Sequence, residues 1–229
     1  MSKVAVDFFS GTGSATKAFR ESNDWKVFDV ELNSNNDFDS DRIDLEKDIM
    51  DVRLEELPNQ VDFVWASPPC TAFSRASVGH HWSENMKPDT EYCLTNIQLV
   101  WKTLYLINKL KPDYWFMENP QGMLINVLPH SPEKVTYCQY GDDRMKPTYL
   151  YGQHPSSMQY RSCSEGDKCH EAAPRGSNHS GTQNTDMNAT DRAQIPYGLS
   201  KKIFEAVENP GKKIKQEKLK KVRPQNNDC

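Results

Sequence analysis

Nowhere in the 229 residues does an apolar run approach the roughly 20 that a membrane-spanning helix needs, so no membrane association is expected. A leader-like stretch is missing too: Ser2-Lys3 leads straight into a short strand-like run, which argues against export. The six cysteines lie scattered from Cys70 to Cys229 without the dense spacing of a disulfide framework, so reduced thiols in a cytosolic setting are expected. There are no internal repeats, which excludes a solenoid. Positive charge is scarce, and a net charge of −4 looks wrong for a protein that binds nucleic acid. The shortage is local. Residues 21–62 carry fourteen Asp or Glu against four Lys or Arg, whereas 211–224 carry seven Lys or Arg against the single acid Glu217. That basic tail could follow a phosphate backbone or serve only as a solvated, disordered tail.

The length suits one substantial core with a small appendage, and the patterning describes that core. Val4 to Phe9 is a short apolar run, broken by Ser10-Gly11-Thr12-Gly13-Ser14 before helix-compatible Ala15 to Ser22: strand, glycine turn, helix. Further strands are expected at Trp25 to Val30, Val61 to Ala66 and Tyr114 to Met117. From Thr95 to Leu110, Ile97, Val100, Trp101, Leu104, Ile107 and Leu110 recur at three- and four-residue steps, predicting an amphipathic helix with those side chains inward. Strands alternating with helices imply an α/β fold, a parallel sheet covered on both faces. Beyond Pro147 the sequence turns polar and reads as loops, until Leu199, Ile203 and Val207 mark a last helix over Ser200 to Val207. The expected organisation is a catalytic core at 1–150, a small loop-rich region at 151–191, a helix returning to the core at 192–209 and a basic tail at 210–229.

Chemistry-bearing residues follow the strands. A turn of the form Gly11-x-Gly13 lets backbone N–H groups approach a ligand, though a tight structural turn would need the same glycines. Asp29 and Glu31, ending the second strand, are candidate acceptors for ribose hydroxyls. Asp48-Ile49 could meet an adenine or form a solvated acidic loop. Ser67-Pro68-Pro69-Cys70 directly follows an apolar strand, and two prolines stiffen the turn that presents the thiol. Forty-eight residues on, again at a strand end, stands Glu118-Asn119-Pro120. A thiol and a carboxyl at neighbouring strand ends suit cytosine: the carboxyl donates to ring nitrogen N3 while the thiolate attacks carbon 6 and activates carbon 5.

Asp7-Phe8-Phe9-Ser10-Gly11-Thr12-Gly13, Ser67-Pro68-Pro69-Cys70 and Glu118-Asn119, in this order, resemble the signatures of the cytosine carbon-5 DNA methyltransferase family. The resemblance covers roughly residues 4–150. It implies a Rossmann-like S-adenosylmethionine-dependent methyltransferase sheet with helices on both faces and a small irregular target-recognition region. It also implies Cys70 as nucleophile, Glu118 as the ring-activating carboxyl and Asn119 as its support. Phe8, Ser10, Gly11, Thr12 and Gly13, with Asp29, Glu31, Asp48, Ile49, Ser67 and Pro68, become the expected contacts of S-adenosylmethionine, released as S-adenosylhomocysteine.

The stretch Thr71 to Lys87, with Ser74, Arg75, His80, His81 and Trp82, corresponds to the family's loop that closes over flipped DNA, although a mobile polar loop is a common alternative. Gln139 and Arg144 resemble a degraded glutamine-arginine motif; Arg144 or equally Lys146 would hold the cytosine carbonyl or a phosphate. Arg175 and Gln183 lie in the region expected to contact bases. Pro120 stands where valine is usual, and Arg192 to Tyr197 replaces the late glycine-asparagine motif. No metal is assigned, but Cys163-x5-Cys169-His170 offers zinc ligands at an atypical spacing, with Cys138 or His154 as a fourth and ordinary loop residues as the alternative. The expected partner is double-stranded DNA, and the setting phage or bacterial. The rivals are an amino-methylating DNA enzyme, which usually has an aromatic at the position of Cys70, an inactive DNA-binding homologue, and an enzyme acting on RNA or a free nucleotide.

Overall fold

The computed structural model describes residues 2–32, 40–129, 131–164, 166–170 and 189–211. Among these, strands and helices alternate: β1 (Lys3–Phe8), α1 (Lys17–Arg20), β2 (Trp25–Glu31), β3 (Leu45–Glu46), β4 (Phe63–Ala66), α2 (Glu91–Leu110) and β5 (Tyr114–Pro120). They are followed by β6 (Glu133–Thr136), β7 (Pro147–Gln153), α3 (Ala189–Ala193) and α4 (Tyr197–Glu208). The seven strands form one sheet in the order β3-β2-β1-β4-β5-β7-β6. The chain works outward from β1 through β2 to β3, then crosses back to β4, so the reversal of direction falls between β1 and β4. Open α/β sheets bind ligands in the crevice at such a switch point.

The sheet is not wholly parallel, as the alternation had predicted. β7 runs antiparallel to both β5 and β6, with Glu118 opposite Leu150 and Asn119 opposite Tyr149. It also continues to Gln153, past the boundary at 150 read from the sequence. Alternating side chains send Val6, Phe8, Val64, Ala66 and Met117 to one face, where α2 packs. Ala5, Phe63, Trp65 and Phe116 face the other side, against Phe19 of α1 and Leu199, Ile203 and Ala206 of α4.

α2 begins four residues before the predicted start, because the Thr90 hydroxyl accepts the Cys93 N–H and caps it. Its buried side chains are Cys93, Asn96, Val100, Thr103, Leu106 and Ile107, while Trp101 is 48% exposed. Asn96 and Thr103 can face inward because each donates to the carbonyl four residues back, Tyr92 and Leu99. α4 is tied across the chain: Ser200 Oγ accepts the Ala18 N–H, and Glu208 accepts from the Trp25 indole and Lys3. At its start Gly198 lets α4 pack on the turn after β6, since a Cβ there would lie 2.3 Å from the Tyr140 carbonyl oxygen.

Candidate active site

At the end of β4, Ser67 continues the sheet by donating its N–H to the Phe8 carbonyl, 3.2 Å away, and its hydroxyl accepts the Trp65 indole N–H at 2.7 Å. Two prolines then fix the path to Cys70. Asn119, buried at the end of β5, donates from Nδ2 to the Pro68 carbonyl at 3.0 Å, so one side chain ties the two strand ends together. The turn closes behind Cys70 where Phe73 N–H meets the Cys70 carbonyl, and Phe73 in turn accepts the Met123 N–H. Gly122 is obligatory in that contact: a Cβ would stand 2.1 Å from the Phe73 oxygen.

Cys70 is exposed, a free thiol. Its pKa lies above the ordinary thiol range, first because of the protein packed around the sulfur and second because of the negative charge of Glu118; the Lys146 cation acts in the opposite sense. The three groups therefore share one electrostatic site. Glu118 is buried and its Oε1 accepts the Tyr137 hydroxyl at 3.0 Å. Tyr137 is fully buried, with the Lys146 ammonium 4.6 Å from its ring centroid. Sequence reading missed Tyr137, which reaches Glu118 only because β7 carries β6 and its following turn back beside β5.

The other half of the crevice lies beyond β1 and β2. Phe9, Gly11 and Gly13 all have positive φ (60°, 48° and 70°), and Gly13 N–H bonds the Ser10 carbonyl at 2.7 Å. Glu31 receives the N–H groups of Gly11 and Leu32, which places its carboxylate beside the turn as expected. Asp29 does not join it. Two residues back on β2 it is fully buried and paired with Arg20 and Arg42, each at 2.6 Å, so it is a structural anion and not a ribose acceptor. Arg42 also reaches the Gly11 carbonyl and lies against Gly13. Asp7, beside this pair, is held up to about 7, by burial first and by the charge of Asp29 second. Phe8 points wholly into the core, so any cofactor contact there must come from its backbone or from half-buried Phe9.

The residues that build these two strand ends, Asp7 to Gly13, Ser67 to Cys70 and Glu118-Asn119, all fall within residues 4–130, which match the model of the C-5 cytosine-specific DNA methylase family. The chain belongs to that family. A protein of Frog virus 3 (isolate Goorha), named as a probable DNA (cytosine-5)-methyltransferase, is 31% identical over 144 residues, which are 60% of this chain and 64% of the relative. The chain thus spans less than two thirds of that relative. Among solved structures it resembles the methyltransferase EhMeth of Entamoeba histolytica (12% identity, TM-score 0.46, 72% of this chain and 58% of that one). A second is the Dnmt2 methyltransferase of S. pombe (14% identity, TM-score 0.44, 66% and 49%).

The remaining expectations for this chain divide. Asp48 caps a short turn by accepting the Met50 N–H, and Ile49 is buried in the core and presents no open apolar surface for an adenine. In the loop after Cys70, Arg75 and His80 are exposed and Ser74 is half-buried. Trp82 is instead an anchor: 1% exposed, it donates its indole N–H to the Ala72 carbonyl at 2.6 Å. His81 is held by Thr90 and lies against Tyr92. Arg144 is buried and its guanidinium is engaged by Asp142 through Nε and Nη2, so Lys146 is the cation felt at Cys70. Gln139 is half-buried in the turn after β6. His154 stacks on Phe116 at 3.9 Å and pairs with Tyr160, away from any role as a fourth zinc ligand. Arg175, Gln183 and the basic tail from residue 212 lie outside the described residues.

Proposed function

We propose that this chain transfers a methyl group from S-adenosylmethionine to carbon 5 of cytosine in double-stranded DNA, through a covalent bond between Cys70 and carbon 6. One juxtaposition carries the reading: a rigidly held thiol and a buried carboxyl at the ends of adjacent parallel strands, bridged by Asn119 and Pro68. The name of the viral relative and the family membership support it.

The turn after β1 suits an adenosine-bearing donor. Asp7 Oδ1 and Ser10 Oγ are buried there without a hydrogen-bond partner, and Glu31 adds an acceptor at the end of β2. These groups fit a cofactor with ammonium and hydroxyl donors, and Gly11 puts no side chain between the backbone and it. When bound, S-adenosylmethionine supplies a methyl group on a sulfonium and leaves as S-adenosylhomocysteine.

Glu118 donates a proton to N3 and draws electrons from carbon 6. Because Tyr137 donates to Oε1, the other carboxyl oxygen is left to carry that proton. Cys70 gives its proton to water, its sulfur bonds carbon 6, and the electron pair of the carbon 5–carbon 6 double bond moves to carbon 5. Proton transfer to N3 leaves Glu118 as a carboxylate, which takes that proton back when the ring is restored, and the Lys146 cation favours the Cys70 thiolate. Carbon 5 takes the methyl group. Loss of its proton to water or a base then expels the thiolate and restores the ring.

A cytosine stacked in a duplex offers its face to neither group and must be extruded first. Ser74, Arg75, His80, Gln139, Lys146 and Arg175 are the DNA contacts in this reading, and Arg144 joins the site only if DNA draws it from Asp142. Five free thiols among the described residues suit a reducing interior, such as the cytoplasm of a bacterial host, and a compact modification enzyme of restriction or phage origin fits that setting.

The test is mass spectrometry of nucleosides from mixed-sequence DNA incubated with the protein and S-adenosylmethionine, with Cys70→Ala as control. We expect 5-methylcytosine from the parent alone. N4-methylcytosine or N6-methyladenine, or equal product from the variant, would overturn the mechanism.

A further inference from the structure

We infer that Cys138, Cys163, Cys169 and His170 form a zinc site that fastens the segment after β7 to the turn behind the catalytic carboxyl. The inference does not depend on the methyl-transfer reading. Three thiols and an imidazole, drawn from two separate stretches of chain, bring their ligand atoms within 4.8 Å of one another. Cys138 sits in the turn that follows β6, and the other three lie in the segment that follows β7.

Three of the four separations match what zinc imposes, and the fourth, Cys138 Sγ to Cys163 Sγ, is shorter. With Zn–S near 2.3 Å and Zn–N near 2.0–2.1 Å, a tetrahedron has S···S edges of about 3.8 Å and S···N edges of about 3.6 Å. Here Cys138 Sγ lies 3.2 Å from Cys163 Sγ and 3.6 Å from Cys169 Sγ, while His170 Nδ1 lies 3.7 Å from Cys163 Sγ and 3.6 Å from Cys169 Sγ. Four soft donors and no carboxylate select zinc over calcium or magnesium. A disulfide would use two of the three sulfurs and leave the third and the imidazole without purpose; all three thiols are free and half-buried.

The surroundings orient the ligands as metal sites require. Thr136, fully buried at the end of β6, donates its hydroxyl to Cys163 Sγ at 3.4 Å and accepts the Cys163 N–H at 2.9 Å. The Thr136 N–H bonds the Arg161 carbonyl, and the Tyr140 hydroxyl accepts the Arg161 N–H. The segment therefore arrives at Cys163 already docked along β6. Cys138 is the immediate neighbour of Tyr137, so a metal here would also hold the phenol that bonds Glu118. Its role is structural: four protein ligands close the coordination sphere and leave no position for a reacting water.

The experiment is elemental analysis of the full chain after exhaustive dialysis, together with cobalt substitution. We expect about one zinc per chain, absent from Cys163→Ser/Cys169→Ser and retained by Cys93→Ser. Cobalt should give thiolate-to-metal charge-transfer absorption and the intense visible bands of tetrahedral coordination. If the double variant fails to fold, the cobalt spectrum of the parent decides alone. No bound metal, only the weak absorption of octahedral cobalt, or a double variant that keeps its zinc would each overturn the site.

Discussion

The two halves of the crevice are built on opposite electrical principles. Beyond β1 and β2 the charges are matched by partners: Asp29 lies between Arg20 and Arg42, and Glu31 is capped by two backbone N–H groups. Beyond β4 and β5 they are left open, with a free thiol, a carboxyl whose one described side-chain donor is a phenol, and a lysine poised over that phenol. In the proposed reaction the first half only binds, whereas the second moves protons and forms a bond, which calls for groups whose charge can change.

Perturbing the open half should therefore cost activity and perturbing the matched half should cost stability. The largest expected effect is that of Cys70→Ala, which lowers methyl transfer by about 10⁴-fold or more while leaving the melting temperature within about 2 °C, measured by radiolabelled methyl incorporation and thermal unfolding. Glu118→Gln comes next, with kcat down about 10²–10³-fold. That variant also has a signature of its own. Removing the carboxylate charge that raises Cys70 should move the pH profile of Cys70 alkylation, followed by peptide mass spectrometry, toward lower pH; Lys146→Met should move it the other way. If neither profile moves, the three groups do not share a site. Tyr137→Phe should reduce kcat by about tenfold with KM for DNA unchanged, the cost of one hydrogen bond to a carboxyl.

The last effect probes the matched half. Asp7 keeps its proton up to about 7 in the folded protein, whereas the unfolded chain releases it near pH ~4. Its contribution to stability is thus fully present below about pH 4 and is lost as the pH rises through about 7. Asn at position 7 cannot ionise, so the melting temperature of Asp7→Asn relative to the parent should shift in the variant's favour by about 5–10 °C between pH 5 and pH 8. A gap independent of pH would mean that Asp7 is ionised throughout.

The half that holds Cys70 and Glu118 was the more legible in the sequence because its information is local. Pro68-Pro69-Cys70 and Glu118-Asn119 each follow a short apolar strand directly, and β4 is buried at all four positions. The matched half depends on register. Whether Asp29 or Glu31 faces the turn is decided by arginines at positions 20 and 42, which no spacing rule connects to β2. β7 escaped notice because it opens with a proline and alternates Thr148 and Leu150 inward with half-exposed neighbours, and β6 because half of it is exposed. Trp101 was misassigned to the core because a purely apolar count along α2 overlooks Asn96 and Thr103, which satisfy their own hydrogen bonds and take the inward places.

The clasp between α4 and the first helix sets a schedule for biosynthesis. Phe19 stacks on Phe63 and meets Phe204 edge-on, 5.2 Å between ring centroids, while Ser14 and Ala18 bond to Ile195 and Ser200. A ribosome making roughly 5–20 residues per second needs about 10–40 s to travel from the first of these partners to the last. Throughout that interval one face of the nascent sheet, rich in aromatic rings, lacks its cover and stays open to solvent until α4 emerges.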